Sequence, residues 1–160
     1  VMSADRSTLS DGVVTTETNE MGQVAFMSPS VFNFYPPDYI IPGTSLNGPE
    51  FGLFTTGTSI SRINFVNTMI FSRININPER KVTSGTSISL SEMQSFAEAD
   101  PSGNQLMDAL NTKMMHGTMS PQMRNIILNV ILTVPESNPL LRAQRAVYLI
   151  ATSSQYQIQK

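Results

Sequence analysis

The chain has 160 residues with ten Lys and Arg against twelve Asp and Glu, a formal net charge of -2, and only 14% charged against 40% hydrophobic positions. That is the length of one domain with room for a core, and with no basic stripe it excludes a phosphate-backbone binder, so no nucleic acid is expected. Cysteine is absent, which excludes disulfides, thiolate metal sites and cysteine nucleophiles.

The missing charge is replaced by Ser, Thr, Asn and Gln, a polar composition common in exported proteins. The longest apolar run, Ile126 to Val134, is interrupted by Asn129 and Thr133. It falls well short of the roughly 20 residues that cross a bilayer, so no membrane span is expected. The first residue is Val1, followed by polar sequence with neither an initiator Met nor a signal-peptide pattern. The expectation is a single domain or a C-terminal fragment of a larger helical protein.

Residues 1–57 read as an extended or looping segment. They hold half of the ten prolines among Gly, Ser, Thr and aromatics, and Val13-Val14-Thr15-Thr16 is read as a short strand. From residue 58 to 160 the pattern is helical. Residues 58–72 place Ile60, Ile63, Val66, Asn67, Ile70 and Phe71 near one face. Residues 75–87 read as a loop, with Asn77-Pro78 and Ser84-Gly85 as breakers. A short helix follows, capped by Ser89 or Ser91, with Met93, Phe96 and Ala97 inward.

Asp100-Pro101 is the cap and first residue of the next helix, where Leu106, Met107, Leu110 and Met114 recur at helical spacing until Gly117 stops it. Ser120-Pro121 repeats the start. Met123, Ile126, Ile127, Val130, Ile131 and Val134 line one face, Leu128 and Leu132 another, and Pro135 ends the helix, which is expected to be the most buried. Asn138-Pro139 opens the last helix, with Leu140, Ala143, Val147, Ile150 and Ala151 inward. The fold class is mainly α: a small helical bundle with a long irregular Pro/aromatic-rich N-terminal segment packed on it.

No coherent catalytic set emerges. His116, the single histidine, is a candidate general base, but no Gly-x-Ser-x-Gly elbow supplies a nucleophile. It is read instead as a C-terminal helix cap. Glu92, Glu98 and Asp100 suit solvent and caps, no EF-hand pattern occurs, and neither metal nor cofactor is expected. Asp38 and Glu50, within aromatic and Pro-rich chain, are the acids a glycoside hydrolase would draw on, with a local turn and a structural ion pair as their alternatives.

Rings are concentrated early: Phe26, Phe32, Phe34, Tyr35, Tyr39, Phe51 and Phe54. In a loop, Phe32, Phe34, Tyr35 and Tyr39 can stack on a ligand or anchor a partner. We read them as plugs fastening the segment to the helices, with Phe32 and Phe34 on one side of an extended chain. The ten Met residues look like core filler.

Ser28-Pro29-Ser30-Val31-Phe32-Asn33-Phe34-Tyr35 through Pro37-Asp38-Tyr39, then Pro42-Gly43, then Gly48-Pro49-Glu50-Phe51, resembles a signature of the bacterial family catalogued as domain of unknown function eighteen-hundred. So do Arg142-Ala143-Gln144-Arg145-Ala146-Val147-Tyr148-Leu149-Ile150 and Ser154-Gln155-Tyr156-Gln157-Ile158-Gln159, and the resemblance covers residues 26–160. Gly48 stands where the family more usually has alanine, and Ser154-Gln155 where it has Pro-Glu. The resemblance implies the C-terminal piece of a longer, mostly helical, exported bacterial protein, periplasmic, cell-surface or secreted. It transfers no catalytic residue.

The functional expectation is a structural or interaction domain of that larger protein, its partner being the remainder of the parent chain or another protein. The alternative is part of a hydrolase acting on glycans or esters, and the sequence does not decide whether the chain is an enzyme.

Overall fold

The computed structural model describes residues 14–75 and 85–157. Val13 of the expected strand, Asn77-Pro78 and Ser84 of the expected loop, and Ile158 and Gln159 of the tail motif lie outside them. The protein is mainly α-helical, with seven α-helices and one 3-10 turn among the described residues. These residues fall into two compact units, 14–65 and 66–157.

The first unit opens with helix α1 (Thr15–Glu20), which corrects the expected strand over Thr15 and Thr16. Thr18 N–H donates to the Val14 carbonyl at 2.9 Å and Met21 N–H to that of Glu17 at 3.0 Å. The β preference of Val and Thr is largely a preference for packing against a neighbouring strand. Where the described chain offers none, local i to i−4 bonds win. Helix α2 (Thr56–Phe71) starts two residues before the expected Thr58. Its cap is Thr55, whose Oγ1 accepts from Thr58 N–H at 3.2 Å while Thr58 Oγ1 accepts from Thr55 N–H at 3.0 Å. This is a capping box with threonine in the place usually held by Glu or Gln.

The second unit packs the last turns of α2 with α3 (Ser91–Ala99), α4 (Asn104–Met115), α5 (Pro121–Leu132), α6 (Pro139–Ala151) and the short α7 (Ser154–Gln157). Helix α6 packs against α3, α4 and α5. Ala143 and Ala146 are fully buried along it beside Val147 and Ile150; their small side chains let neighbouring helices approach closely. Leu106, Met107 and Leu110 of α4, with Ile131 of α5, complete the sealed core. The expectation that α5 is the most buried helix is corrected: it buries Ile127 and Ile131, while Ile126 is 55% exposed and Leu132 is exposed too. A second apolar face on a helix does not by itself secure a second neighbour. The end of α2 is fixed to α6 by the Gln144 amide donating to the Ile70 carbonyl at 2.9 Å and by an edge-on contact of Phe71 with Tyr148.

Two of the three expected Pro-led starts are as read. Ser120 Oγ accepts from Met123 N–H and Asn138 Oδ1 from Leu141 N–H, both at 3.2 Å, with Pro121 and Pro139 at the first helical positions. The third differs, since α4 begins at Asn104 and not at Pro101. Asp100 instead builds the preceding turn: its carboxylate accepts from Ser102 Oγ at 2.6 Å, Ser102 N–H at 3.0 Å and, on the other oxygen, Gln105 N–H at 3.0 Å. The capping anion therefore reaches the first turn of α4 from outside it. The Ser102 hydroxyl, followed by the Gln105 amide, holds the Asp100 carboxyl below its ordinary range. At α3 the expected serine cap is also absent: Leu90 occupies that position and makes no side-chain capping bond.

Arg142 is buried in α6 and faces backbone carbonyls. Its Nε and Nη2 donate to the Val134 carbonyl at 3.0 and 2.8 Å, and its Nη1 to that of Pro101 at 2.8 Å. One guanidinium thus ties the chain after α5 to the turn before α4, using the planar fork that only arginine has.

Candidate interaction loop

The stretch from Gln23 to Tyr35 closes on itself. Gln23 Nε2 donates to the Tyr35 hydroxyl at 2.8 Å, and Arg62 Nη2 of helix α2 donates to Gln23 Oε1 at 3.3 Å. The Arg62 guanidinium lies 5.8 Å from the centre of the Phe54 ring, a cation–π placement that steadies it. Residues 24–34 are therefore a compact loop with a pinned neck, the anatomy of an Ω-loop.

Within the loop the chain runs through tight turns. Met27 N–H donates to the Val24 carbonyl at 3.1 Å and Asn33 N–H to that of Ser30 at 3.0 Å, with Ser30 Oγ also accepting from Phe32 N–H. The corners of these turns are Ala25-Phe26 and Val31-Phe32, where Gly, Asn, Asp or Pro is ordinarily found. Phe26 has φ of +62°, a left-handed conformation that costs a residue with a Cβ about 1–2 kcal/mol. The large corner side chains, and Met27 at the end of its turn, stand in solvent: Phe26 is 106% exposed, Val31 94%, Met27 72% and Phe32 59%.

This corrects the plug reading for Phe32, and for Phe26 beside it. Side-chain alternation belongs to extended chain, and turns with Asn33 at φ of +64° replace that alternation here. Phe34 is half-buried, Tyr35 forms the neck, and the Tyr39 ring lies against Gly52.

After the neck, Tyr39–Ile41 pairs with Leu46–Gly48. Ile41 N–H donates to the Leu46 carbonyl at 2.9 Å and Gly48 N–H to that of Tyr39 at 3.0 Å. Pro42-Gly43 forms the turn, with Gly43 at φ of +81°, a position that favours glycine. Gly48 is buried, and a Cβ there would come within 2.7 Å of Ile41 Cδ1 and 2.9 Å of the Phe51 ring. The space that alanine would take at this position is filled by Ile41. The register places exposed Asp38 and exposed Glu50, at the start of the 3-10 turn Pro49–Gly52, beyond the same open end of this hairpin.

His116 belongs to the other unit. It is the C-terminal cap of α4 in the left-handed region, φ of +50°, and Gly117 N–H closes the helix end on the Asn111 carbonyl. The imidazole is exposed, and the cap is made by backbone. Glu92 pairs with Lys113 and Asp108 with Arg124. Among the described residues no group of three His, Asp or Glu is placed to hold a metal ion.

Gln23 and Arg62 stand outside every motif read from the sequence, and Arg142 entered only as part of the tail motif, with no role given to it. For Arg62 a signal existed, as it is the only Lys or Arg from residue 13 to residue 65. Gln155 is a further case. Its amide donates to the Thr118 carbonyl at 3.2 Å and accepts from Ser120 Oγ at 3.2 Å, so it uses both functions where a carboxylate can only accept.

These features define a mainly helical chain that displays an aromatic loop built from turns. The sequence profile of the family described as "Protein of unknown function (DUF1800)" matches residues 1–158, and the chain belongs to that family. The match extends toward the N-terminus beyond the motifs noted above. Comparison with curated proteins and with solved structures returned no match. No helix among the described residues is long and apolar enough to cross a membrane.

Proposed function

We propose that this chain is a structural or interaction domain of a larger, exported bacterial protein, and that residues 24–34 make its contact. One observation carries the reading: Phe26, Met27, Val31 and Phe32 are held in solvent by hydrogen-bonded turns with a pinned neck. Isolated surface apolar residues are ordinary, but a group of them on one short loop marks a contact surface. The weakly charged composition supports export. The test is amide hydrogen exchange in the intact parent protein and in the 160-residue chain. Exchange over residues 24–34 is expected to slow in the parent or on addition of its extract. Equal, fast exchange in every sample contradicts the reading.

A hydrolase acting on glycans or esters is the second reading. The observation that favours it is the hairpin register, which leads Asp38 and Glu50 to one open end. Turnover of polysaccharide or ester substrates by the parent, abolished by Asp38→Asn or Glu50→Gln, is its expected signature. Activity unchanged in both variants removes them as catalysts.

A further inference from the structure

Resting on the interaction-domain reading, we infer that the 24–34 loop docks onto a protein surface whose apolar pockets are bordered by Lys and Arg. The loop itself carries no charged residue. Glu20 and Asp38 stand three residues outside the neck residues Gln23 and Tyr35 in the chain, and the unit that carries the loop holds two further carboxylates, Glu17 and Glu50, against the single cation Arg62. Glu20, Asp38 and Glu50 are exposed. The unit's one cation, Arg62 of helix α2, is turned to Gln23 and the Phe54 ring.

An apolar centre with a charged surround is the anatomy of a protein interface, in which aromatic anchors fill pockets and the rim sets partner choice. An acidic rim calls for a basic one opposite. The same charges disfavour other occupants. Nucleic acid and anionic lipid would be repelled. A neutral bilayer would gain nothing from the carboxylates, and the loop lacks the Trp and the flanking Lys or Arg that anchor chains at lipid interfaces.

The neck supplies the remaining requirement. With Tyr35, Gln23 and Arg62 holding its ends, the loop meets a partner already ordered, which lowers the entropic cost of docking. The strained Phe26 fits the same account, since a non-glycine residue persists in the left-handed region where the surroundings over-determine it, commonly at ligand contacts.

The experiment measures binding of the 160-residue chain to four probes: a labelled amphipathic Leu–Lys peptide, a Leu–Glu peptide of equal length, phosphatidylcholine vesicles, and mixed phosphatidylcholine–phosphatidylglycerol vesicles. The expected result is binding to the Leu–Lys peptide alone. The Phe26→Ser/Phe32→Ser pair should weaken it about tenfold or more, as loss of central anchors does. Asp38→Asn/Glu50→Gln should weaken it by a smaller factor and flatten its salt dependence. Tyr35→Phe keeps the ring and frees the neck, and should lower affinity while leaving the salt dependence intact. Equal binding to both peptides, preference for either vesicle, no binding to any probe, or indifference to the Phe26/Phe32 pair would each overturn the inference. Protection of residues 24–34 in the parent, with no Leu–Lys binding, would discard the basic partner and leave the interaction reading standing. Absence of both would discard the two together.

Discussion

In residues 66–157, Leu106, Met107, Leu110, Ile131, Val147 and Ile150 are sealed from solvent between helices, whereas in residues 14–65 Phe26, Met27, Val31 and Phe32 stand in water. The first region is held by burial, with one guanidinium tying its connecting turns. The second is held by turn hydrogen bonds, a hairpin and a polar neck. Side chains of similar apolarity thus have opposite uses, and local backbone geometry decides between them. Helical spacing gathers apolar residues on one face, while tight turns push their corner residues outward.

The contrast can be broken most forcefully in the core. Leu106→Ala removes a fully buried side chain and should cost about 2–5 kcal/mol in urea unfolding; a loss under about 1 kcal/mol would mean that the helical unit is not a packed core. Arg142→Ala leaves the Val134 and Pro101 carbonyls without their donors and should cost about 3 kcal/mol, with Arg142→Lys only partly restoring stability because it lacks the fork.

In the turn-built region, Gly48→Ala should cost about 1–3 kcal/mol by overpacking. In an Ile41→Ala background, where the colliding atoms are gone, the cost should shrink, a coupling that a double-mutant cycle reads directly.

Asp100 tests the link between turn and helix through pH. Its folded pKa is depressed by Ser102 and Gln105, so its contribution is complete above the ordinary value of 3.8. It is lost as pH falls from there through the folded value. Asp100→Asn should remove that part of the acid dependence of unfolding midpoints. An unchanged acid limb would show that the carboxylate does not hold the turn.

Much of this was legible in the sequence. Ser120-Pro121 and Asn138-Pro139 announced their helices because capping chemistry is local, and Leu106, Met107, Leu110 and Met114 fell at helical spacing on a face that is buried. What failed was whatever depended on distant partners. Thr15 and Thr16 had β preference but no strand to join, and α5 had two apolar faces but burial for only one. The aromatic segment was recognisable as a family signature, yet its direction was not. Outward rings follow from φ at Phe26 and Asn33 and from the neck at Gln23, Tyr35 and Arg62, contacts spanning up to 39 residues. Arg142 was visible within a motif, but its role depends on carbonyls of two other turns.

The central claim is that the loop's rings are displayed for contact and do not hold the fold together. Urea unfolding of the Phe26→Ser/Phe32→Ser pair tests it most directly. Solvent-exposed substitutions of this kind change stability by about 0.5 kcal/mol or less each, so the midpoint should stay within about 1 kcal/mol of the parent chain. A loss of about 3 kcal/mol or more, the size expected when buried rings are removed, would show that these side chains are plugs after all and contradict the account.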